Sequence, residues 1–299
     1  MKKWIEAMRL RTLPLAMASV LTGAAVAGMA HQNYALILSF TLLTTLLLQI
    51  LSNLANDYGD SINGADNAGR IGPLRAVQSG AISASAMLRA VIITAVLALA
   101  SGLWLVKLSF TARESLFLPL IFIGMGLLAI AAAIKYTGGK NPYGYRGLGD
   151  LSVLLFFGLL GVGGTAFLLG MTFSLSVALP ALAIGCLSTA VLNLNNLRDH
   201  ENDAAAGKRT VVVMLGFERA KRYHLALISS AWLFLGVWVF VFQPIGWMVA
   251  IFAVLPLHLT HLKRVFATTE ARLLDPELKI VALSTFFLSV ILFVTSLVG

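Results

Sequence analysis

Two short acidic segments are the part of this chain best suited to chemistry. The chain has only 13 Asp and Glu among its 299 residues. Six of them lie in these two segments: Asp57, Asp60, Asp66, Asp199, Glu201 and Asp203. Carboxylates repel one another when they are gathered, unless a cation lies among them. Two facing sets of carboxylates are suited to a divalent cation that holds a diphosphate.

The spacing within each segment places its polar side chains on one face of a helix. Residues at i, i+3 or i+4, and i+7 share a helical face. The first face comprises Asn53, Asn56, Asp57 and Asp60. The second face comprises Asn196, Asp199 and Asp203. Carboxylate and amide oxygens are hard ligands that suit Mg²⁺. We therefore predict that the aspartates of these faces bind metal and act in catalysis, namely Asp57, Asp60, Asp199 and Asp203.

Basic residues follow each acidic segment. Lys208 comes directly after Gly207 and the second segment, and Arg70 follows the first. A lysine supplies a point charge for phosphate, and a glycine allows close backbone approach. These residues form a candidate diphosphate clamp, without the glycine-rich stretch of a P-loop. The alternative is that they and Arg198 pair with the acids as ordinary loop charges.

A third polar segment, residues 135–150, combines three tyrosines and three basic residues with glycines. We interpret it as a lid that orders over an anionic aromatic substrate, with Lys140, Tyr143 and Arg146 as candidate binding residues. The fork of an arginine matches the two oxygens of a carboxylate, which favours Arg146 as the partner of an aromatic acid. An interfacial belt of aromatic and basic residues is an open alternative.

The rest of the chain indicates a membrane protein. Hydrophobic residues make up 59% of it and charged residues 12%, which is typical of a polytopic membrane protein and not of a soluble domain. The net charge of +9 does not indicate nucleic-acid binding, because the basic residues are scattered among loops. A single cysteine, Cys186, excludes an internal disulfide.

Nine apolar stretches are long enough to be membrane spans. We place them at 13–30, 36–53, 87–106, 116–134, 151–169, 174–193, 225–242, 245–260 and 280–298. We expect an all-α polytopic fold of about nine transmembrane helices, in a single domain over residues 1–299. With this map, 20 of the 22 Lys and Arg lie on one side. The positive-inside rule places that side, with the N-terminus and both acidic segments, in the cytoplasm, and the C-terminus outside.

A faint internal repeat relates the two acidic segments. Asn53-Leu54-x-Asn56 recurs as Asn193-Leu194-x-Asn196. One segment follows the second predicted span and the other follows the sixth. One explanation of the recurrence is chance, since short polar sequences of this kind recur at random. The other is a pair of repeated helical bundles around a central cavity that both segments share.

These motifs resemble those of the UbiA superfamily of intramembrane aromatic prenyltransferases. The second motif of that superfamily, D-x-x-x-D-x-x-x-G-K, is matched by Asp199, Asp203, Gly207 and Lys208. Its first motif, N-D-x-x-D-x-x-x-D, is matched by Asn56, Asp57 and Asp60. The last acidic position of the first motif is Gly64 here, and the third acid is displaced to Asp66.

The resemblance is closer to the branch that acts in menaquinone synthesis, in the stretches 56–60, 70–75, 142–145 and 195–199. It implies transfer of a polyprenyl group from polyprenyl diphosphate to 1,4-dihydroxy-2-naphthoate, with loss of diphosphate and CO₂, to give demethylmenaquinol. It also implies Mg²⁺ as the cofactor, a bacterial cytoplasmic membrane as the location, and a product that leaves into membrane lipid. The residues expected to bind substrate are Asn53, Asn56, Asp66, Arg70, Lys140, Tyr143, Arg146, Asn196 and Lys208.

Two other functions stay open on the sequence. One is prenyl transfer by the same superfamily to a different aromatic acceptor. The other is cation-coupled transport, with the acids as ion ligands. Transport predicts acids in the middle of spans, whereas these acids lie at span ends beside Lys and Gly.

Overall fold

The computed structural model describes residues 1–29, 31–64, 74–110, 115–244 and 246–298, and all regular elements in these ranges are helical. The helices are α1 (Lys2–Met8), α2 (Leu13–Ala27), α3 (Tyr34–Ile62), α4 (Ala84–Ser109), α5 (Phe117–Lys135), α6 (Gly149–Leu168), α7 (Leu175–Ala205), α8 (Val211–Leu215), α9 (Phe217–Phe242), α10 (Gly246–Phe252), α11 (Leu255–Ala267) and α12 (Asp275–Val298). The middle of α6, Leu154–Gly164, is π-helical. The predicted all-α fold is confirmed.

Within the described ranges, eight helical segments are long and apolar enough to cross a membrane. They coincide with eight of the nine predicted spans. The count of nine is not confirmed, because the predicted span 245–260 is divided between α10 and α11, of 7 and 13 residues. Pro256 in the first turn of α11 lacks the N–H that would bond the Phe252 carbonyl four residues earlier, and its ring clashes with that carbonyl, which explains why α10 ends there.

Helices α3 and α7 continue past the predicted ends of their spans. α3 ends at Ile62 and α7 at Ala205, whereas the spans were placed to end at 53 and 193. The additional turns carry Asp57 and Asp60 of the first acidic segment and Asp199, Glu201 and Asp203 of the second. Each polar face is therefore a continuation of a membrane helix, with the side-chain directions of that helix already set by its packing.

The segment after α5 packs onto the end of α3. Gly59 allows this close approach, because a Cβ there would lie 2.8 Å from the Thr137 carbonyl oxygen. Two hydrogen bonds hold the contact: Thr137 Oγ1 donates to the Ala55 carbonyl at 3.2 Å, and Asn63 Nδ2 donates to the Thr137 carbonyl at 2.7 Å. This contact anchors the start of the 135–150 segment beside the first acidic face.

The helices form two groups around a central cavity. In the first group α3 packs against α4 and α5, and in the second α7 packs against α9 and α12. α2 lies between the groups and contacts α3, α6, α7 and α12. The largest hydrophobic core is in the second group, where Leu187, Leu197 and Trp238 are fully buried. Each group contributes one acid-bearing helix, which is the predicted arrangement of two bundles.

Candidate active site

A cavity of about 570 Å³ lies between the two groups of helices. Its polar end is formed mainly by the last turns of α3 and α7, with Asn56, Asp60, Arg75, Tyr145, Asn196, Asp199, Asp203 and Lys208. Its apolar part is formed mainly by α4, α5 and α6, with Leu99, Leu103, Ile123, Met125, Phe156 and Leu160. A polar mouth joined to an apolar chamber suits a ligand with a charged head and a hydrocarbon tail.

Lys208 joins the two acidic faces. Its Nζ lies 3.1 Å from Asp60 Oδ1 on α3 and 3.7 Å from Asp203 Oδ1 on α7. Both aspartates are buried, with 2% and 6% of their surface exposed. Buried carboxylates are stable only beside a cation or hydrogen-bond donors, so the three charges depend on one another. The structure thus brings together three of the predicted site residues, which come from two different helical groups.

Asp60 has two further partners that were not among the predicted binding residues. Arg75 Nη2 donates to Asp60 Oδ2 at 2.8 Å, and the Tyr145 hydroxyl donates to Oδ1 at 2.7 Å. Lys208 Nζ lies 4.7 Å from the centre of the Tyr145 ring, which is a cation–π contact. The backbone N–H of Arg209 donates to the Tyr145 carbonyl at 2.9 Å. Tyr145 therefore ties the 135–150 segment to both acidic helices.

Tyr143, the tyrosine predicted to bind substrate, lines the cavity but its hydroxyl is engaged by the protein. The hydroxyl donates to the Ala132 carbonyl at 3.1 Å and lies 3.0 Å from Ser152 Oγ. Burial raises the pKa of the Tyr143 and Tyr136 phenols, so both are neutral at physiological pH. The sequence Pro142-Tyr143-Gly144-Tyr145 contains two tyrosine side chains. On the 3₁₀ turn Tyr143–Arg146 they point in different directions, and only Tyr145 reaches an acid.

Asp199 lines the cavity and is paired with its neighbour Arg198. The guanidinium donates hydrogen bonds to both carboxylate oxygens, with Nη2 2.6 Å from Oδ2 and Nε 3.0 Å from Oδ1. Arg198 also contacts Asp275 at the start of α12 and donates to Asn195 Oδ1 at 2.9 Å. Arg198 is only 1% exposed, and two acids compensate its charge. Asp275 lies far from Asp199 in the sequence, so no local pattern identified it.

The carboxylate of Asp57 contacts backbone N–H groups and not the cavity. Its Oδ2 accepts the backbone N–H of Ala76 at 3.0 Å, and its Oδ1 accepts that of Val77 at 3.2 Å. Asp57 is 1% exposed and is not among the described residues that line the cavity. The prediction that Asp57 binds metal is therefore not supported by this geometry. The helical spacing allowed either Asn56 or Asp57 to share the face of Asp60, and the structure places Asn56 there.

The three predicted asparagines line the cavity and also brace the elements around it. Asn53 Nδ2 donates to Thr12 Oγ1 at 2.9 Å, which links α3 to the chain before α2. Asn56 Oδ1 accepts from Thr137 Oγ1 at 3.2 Å. Asn196 is buried on the cavity side of α7. The amide groups in these positions can hydrogen-bond neighbouring elements of the protein and also a ligand in the cavity.

Two predicted binding residues that the structure describes, Lys140 and Arg146, are not brought to the cavity. Lys140 and Arg146 are exposed and absent from its lining; Lys140 borders a separate, smaller pocket beside Gly59. Asp66 and Arg70 lie outside the described residues. The lid interpretation of the 135–150 segment therefore rests on Tyr145, while its two predicted basic residues face away.

The donor set at the polar end fits a hard divalent cation. The cavity-lining donors are carboxylates and amides: Asp60, Asp199, Asp203, Asn56, Asn196 and Asn202. No three His, Cys, Asp or Glu of the described residues are close enough together to form a protein-only metal cage. Mg²⁺ is commonly held by one or two carboxylates together with waters and substrate phosphates. Sparse carboxylates at the mouth of an apolar cavity match that mode of binding.

The chain matches the UbiA prenyltransferase family over residues 16–291. This match covers most of the chain, and the chain belongs to the UbiA prenyltransferase family. The resemblance inferred from the acidic motifs is confirmed. With eight helices of membrane-spanning length in the part of the chain that the structure describes, the protein is an integral membrane prenyltransferase.

Two similar proteins carry the same name, 1,4-dihydroxy-2-naphthoate octaprenyltransferase. The protein from Haemophilus influenzae is 43% identical over 302 residues, covering 100% of this chain and 97% of its own length. The protein from Escherichia coli K12 is 50% identical over 228 residues, covering 76% of this chain and 73% of its own. Both relatives fall in the branch indicated by the motifs.

A solved structure of a UbiA homologue from Archaeoglobus fulgidus, bound to DMAPP and Mg²⁺, has the same fold. Its TM-score with this chain is 0.64 at 16% identity, covering 97% of this chain and 99% of the homologue. The same homologue bound to GPP and Mg²⁺ gives a TM-score of 0.63. At this identity the likeness concerns the fold.

Proposed function

We propose that this protein transfers a polyprenyl group from polyprenyl diphosphate to 1,4-dihydroxy-2-naphthoate, with release of diphosphate and CO₂, to form demethylmenaquinol in menaquinone biosynthesis. The observation that carries the proposal is the junction of Asp60 and Asp203 through Lys208 at the mouth of an apolar cavity. The names and identities of the bacterial relatives support the choice of acceptor.

The diphosphate of the donor lies at the polar end in this account. Asp60, Asp203 and Asp199 would hold Mg²⁺, which neutralises charge on the departing diphosphate when it is bound. Lys208 and Arg75 are the cations beside these acids, and they are positioned to bind phosphate oxygens. Charge stabilisation of this kind is the main contribution a protein makes to breaking an allylic C–O bond.

The apolar chamber receives the polyprenyl tail. Its walls on α4, α5 and α6 are lined by Leu, Ile, Met and Phe side chains. They exclude water from the reacting carbon, so the aromatic ring rather than water attacks it. The prenylated product is a lipid, and it leaves into the membrane.

The location we propose is a bacterial cytoplasmic membrane. The N-terminus and both acidic segments face the cytoplasm, since most Lys and Arg lie on that side of the span map. The C-terminus lies outside if α10 and α11 together cross the membrane. Their 20 residues give about 30 Å of helix, which matches the hydrocarbon thickness of a bilayer.

Product mass analysis tests the reaction. The purified full-length protein is incubated with a polyprenyl diphosphate and, in parallel, with 1,4-dihydroxy-2-naphthoate, 4-hydroxybenzoate and homogentisate. We expect a prenylated, decarboxylated product from the naphthoate arm and none from the others. Product from another arm alone would identify a different acceptor. No product in any arm, with binding of cations retained, would favour the transport alternative.

A further inference from the structure

The turn between α1 and α2 has an unusual backbone. Arg9 has φ 51° and ψ 61°, and it is the one described residue other than glycine with a positive φ. Left-handed backbone is unfavourable for a residue with a side chain, and it persists where the surroundings fix it. Such residues concentrate at functional sites.

Side chains of α3 fix this turn. Asn53 Nδ2 donates to the Met8 carbonyl and to Thr12 Oγ1, both at 2.9 Å. Gln49 Nε2 donates to Thr12 Oγ1 at 3.2 Å, and Thr12 Oγ1 donates to the Arg9 carbonyl at 3.0 Å. The turn is therefore locked to the same helical face that carries Asp60.

Helix α1 adds a second attachment. Ala7 of α1 is 4% exposed and packs with Leu51 and Leu54 of α3. The chain before α2 is thus docked on α3 at both α1 and the turn. The side chains of the turn have a defined place relative to the cavity.

The locked turn directs two cations to the cavity. Arg9, which is partly buried, and Arg11, which is exposed, both line it, and Arg11 makes no ion pair with any residue that the structure describes. Their anchor, Asn53, lies seven residues before Asp60 on α3, about 10 Å along the helix axis. The turn that carries the arginines is therefore anchored on α3 about one small-molecule length from Asp60.

We infer that this turn, through Arg9 and Arg11, binds the carboxylate of the aromatic acceptor. The inference rests on the proposed function and adds the subsite for the acid. The diphosphate end already has Lys208 and Arg75 beside Asp60. A guanidinium fork matches the two oxygens of a carboxylate. The acceptor ring then lies between the arginine turn and the diphosphate end. Arg146, the residue predicted for this role, is outside the described cavity lining, whereas Arg11 is part of it.

Binding of two ring ligands to the full-length protein tests the subsite. The probes are 1-hydroxy-2-naphthoate and 1-naphthol, which differ only by the carboxylate, measured by titration calorimetry in detergent. We expect Arg11→Gln to weaken binding of the acid about tenfold, as for loss of a charged hydrogen bond. Binding of 1-naphthol and the KM for the donor stay unchanged. Arg11→Lys retains part of the affinity for the acid.

Two further variants make the test specific. Lys3→Gln removes the same charge from an exposed position on α1 and is expected to bind both probes as the wild type does. Arg9→Gly removes the side chain while glycine accepts the left-handed backbone, so we expect weaker acid binding with an unchanged melting temperature.

Several results would overturn the inference. One is wild-type affinity for the acid in both Arg11→Gln and Arg9→Gly. Another is a change in the donor KM instead of acid binding. If the wild type forms naphthoate product and either result is seen, the subsite fails while the proposed function stands. If the wild type prenylates another aromatic acid, the same comparison with that acid and its decarboxylated analogue decides the subsite.

Discussion

The acidic faces of α3 and α7 have the same residue spacing but different partners. On each helix one aspartate enters the shared network at the cavity mouth: Asp60 from α3 and Asp203 from α7, both beside Lys208. The second aspartate of α3, Asp57, is bound by two backbone N–H groups. The second aspartate of α7, Asp199, is bound by the side chain of Arg198.

From this difference we propose a structural role for Asp57 and a functional role for Asp199. The backbone donors of Asp57 are fixed by the fold, so its carboxylate cannot turn to a ligand without breaking the segment after it. Arg198 has a second acid, Asp275, which is 44% exposed at its side chain. Asp199 can therefore be released to a cation while Arg198 stays compensated. Although the two motifs have equal spacing, we therefore expect Asp57 and Asp199 to have different roles.

The largest effect is expected at the two network acids. Asp60→Asn and Asp203→Asn each remove a negative charge from the cavity mouth and leave Lys208 less compensated. We expect turnover to fall about 100-fold or more, as when a transition-state charge partner is removed. Steady-state turnover in detergent is the measurement. Near-normal turnover in either variant would show that the two helices do not share one site.

Substitution of the second aspartate on each helix, Asp199 on α7 and Asp57 on α3, should have different effects. Asp199→Asn should lower turnover roughly 10- to 100-fold and raise the Mg²⁺ concentration required, since a ligand is weakened. Asp57→Asn should instead lower stability by about 1–2 kcal/mol through weaker acceptance of two N–H groups. Melting temperature and Mg²⁺ titration of both variants test this. A larger activity loss for Asp57→Asn than for Asp199→Asn would reverse the assignment.

Lys208 is the residue common to both faces, and its removal should act on the donor. Lys208→Ala is expected to raise the KM for polyprenyl diphosphate about tenfold, the scale of one charge-assisted hydrogen bond. The acceptor KM should change little. Varying each substrate in turn measures both constants. A rise confined to the acceptor KM would show that Lys208 binds the acceptor and not the donor.

The two tyrosines of the 135–150 segment allow a matched comparison. Tyr145→Phe removes the hydroxyl that donates to Asp60 and should lower turnover about three- to tenfold. Tyr143→Phe removes a bond to the Ala132 carbonyl and should mainly lower the melting temperature. Equal turnover in the two variants would mean that Tyr145 does not support Asp60 during the reaction.

The smallest effects are expected at the exposed basic residues. Lys140→Ala and Arg146→Ala should each change both KM values by less than about twofold, because these exposed charges do not line the described cavity. The kinetic comparison with Lys208→Ala provides the scale. A selective rise in acceptor KM for Arg146→Ala would restore the lid interpretation for that residue.

The sequence was sufficient for those features that local spacing determines. Apolar stretches gave the helices, and the i, i+3 or i+4, i+7 pattern identified the faces of Asp60 and Asp203. Long-range partners could not be predicted from the sequence, because Asp275 and Tyr145 meet their partners only through tertiary packing. The choice between Asn56 and Asp57 required the rotation of α3. The arginine turn was missed because a left-handed Arg9 has no signature in residue type.

We propose that both acid-bearing helices, α3 and α7, form one metal-dependent diphosphate site. The most direct measurement is calorimetric binding of an unreactive prenyl thiodiphosphate to the wild type, Asp60→Asn and Asp203→Asn, each with Mg²⁺ and with EDTA. We predict tight binding only for the wild type with Mg²⁺, and a large loss in both variants. Equal binding in EDTA would show that the site does not depend on metal, and wild-type affinity in either variant would show that the two helices do not share it.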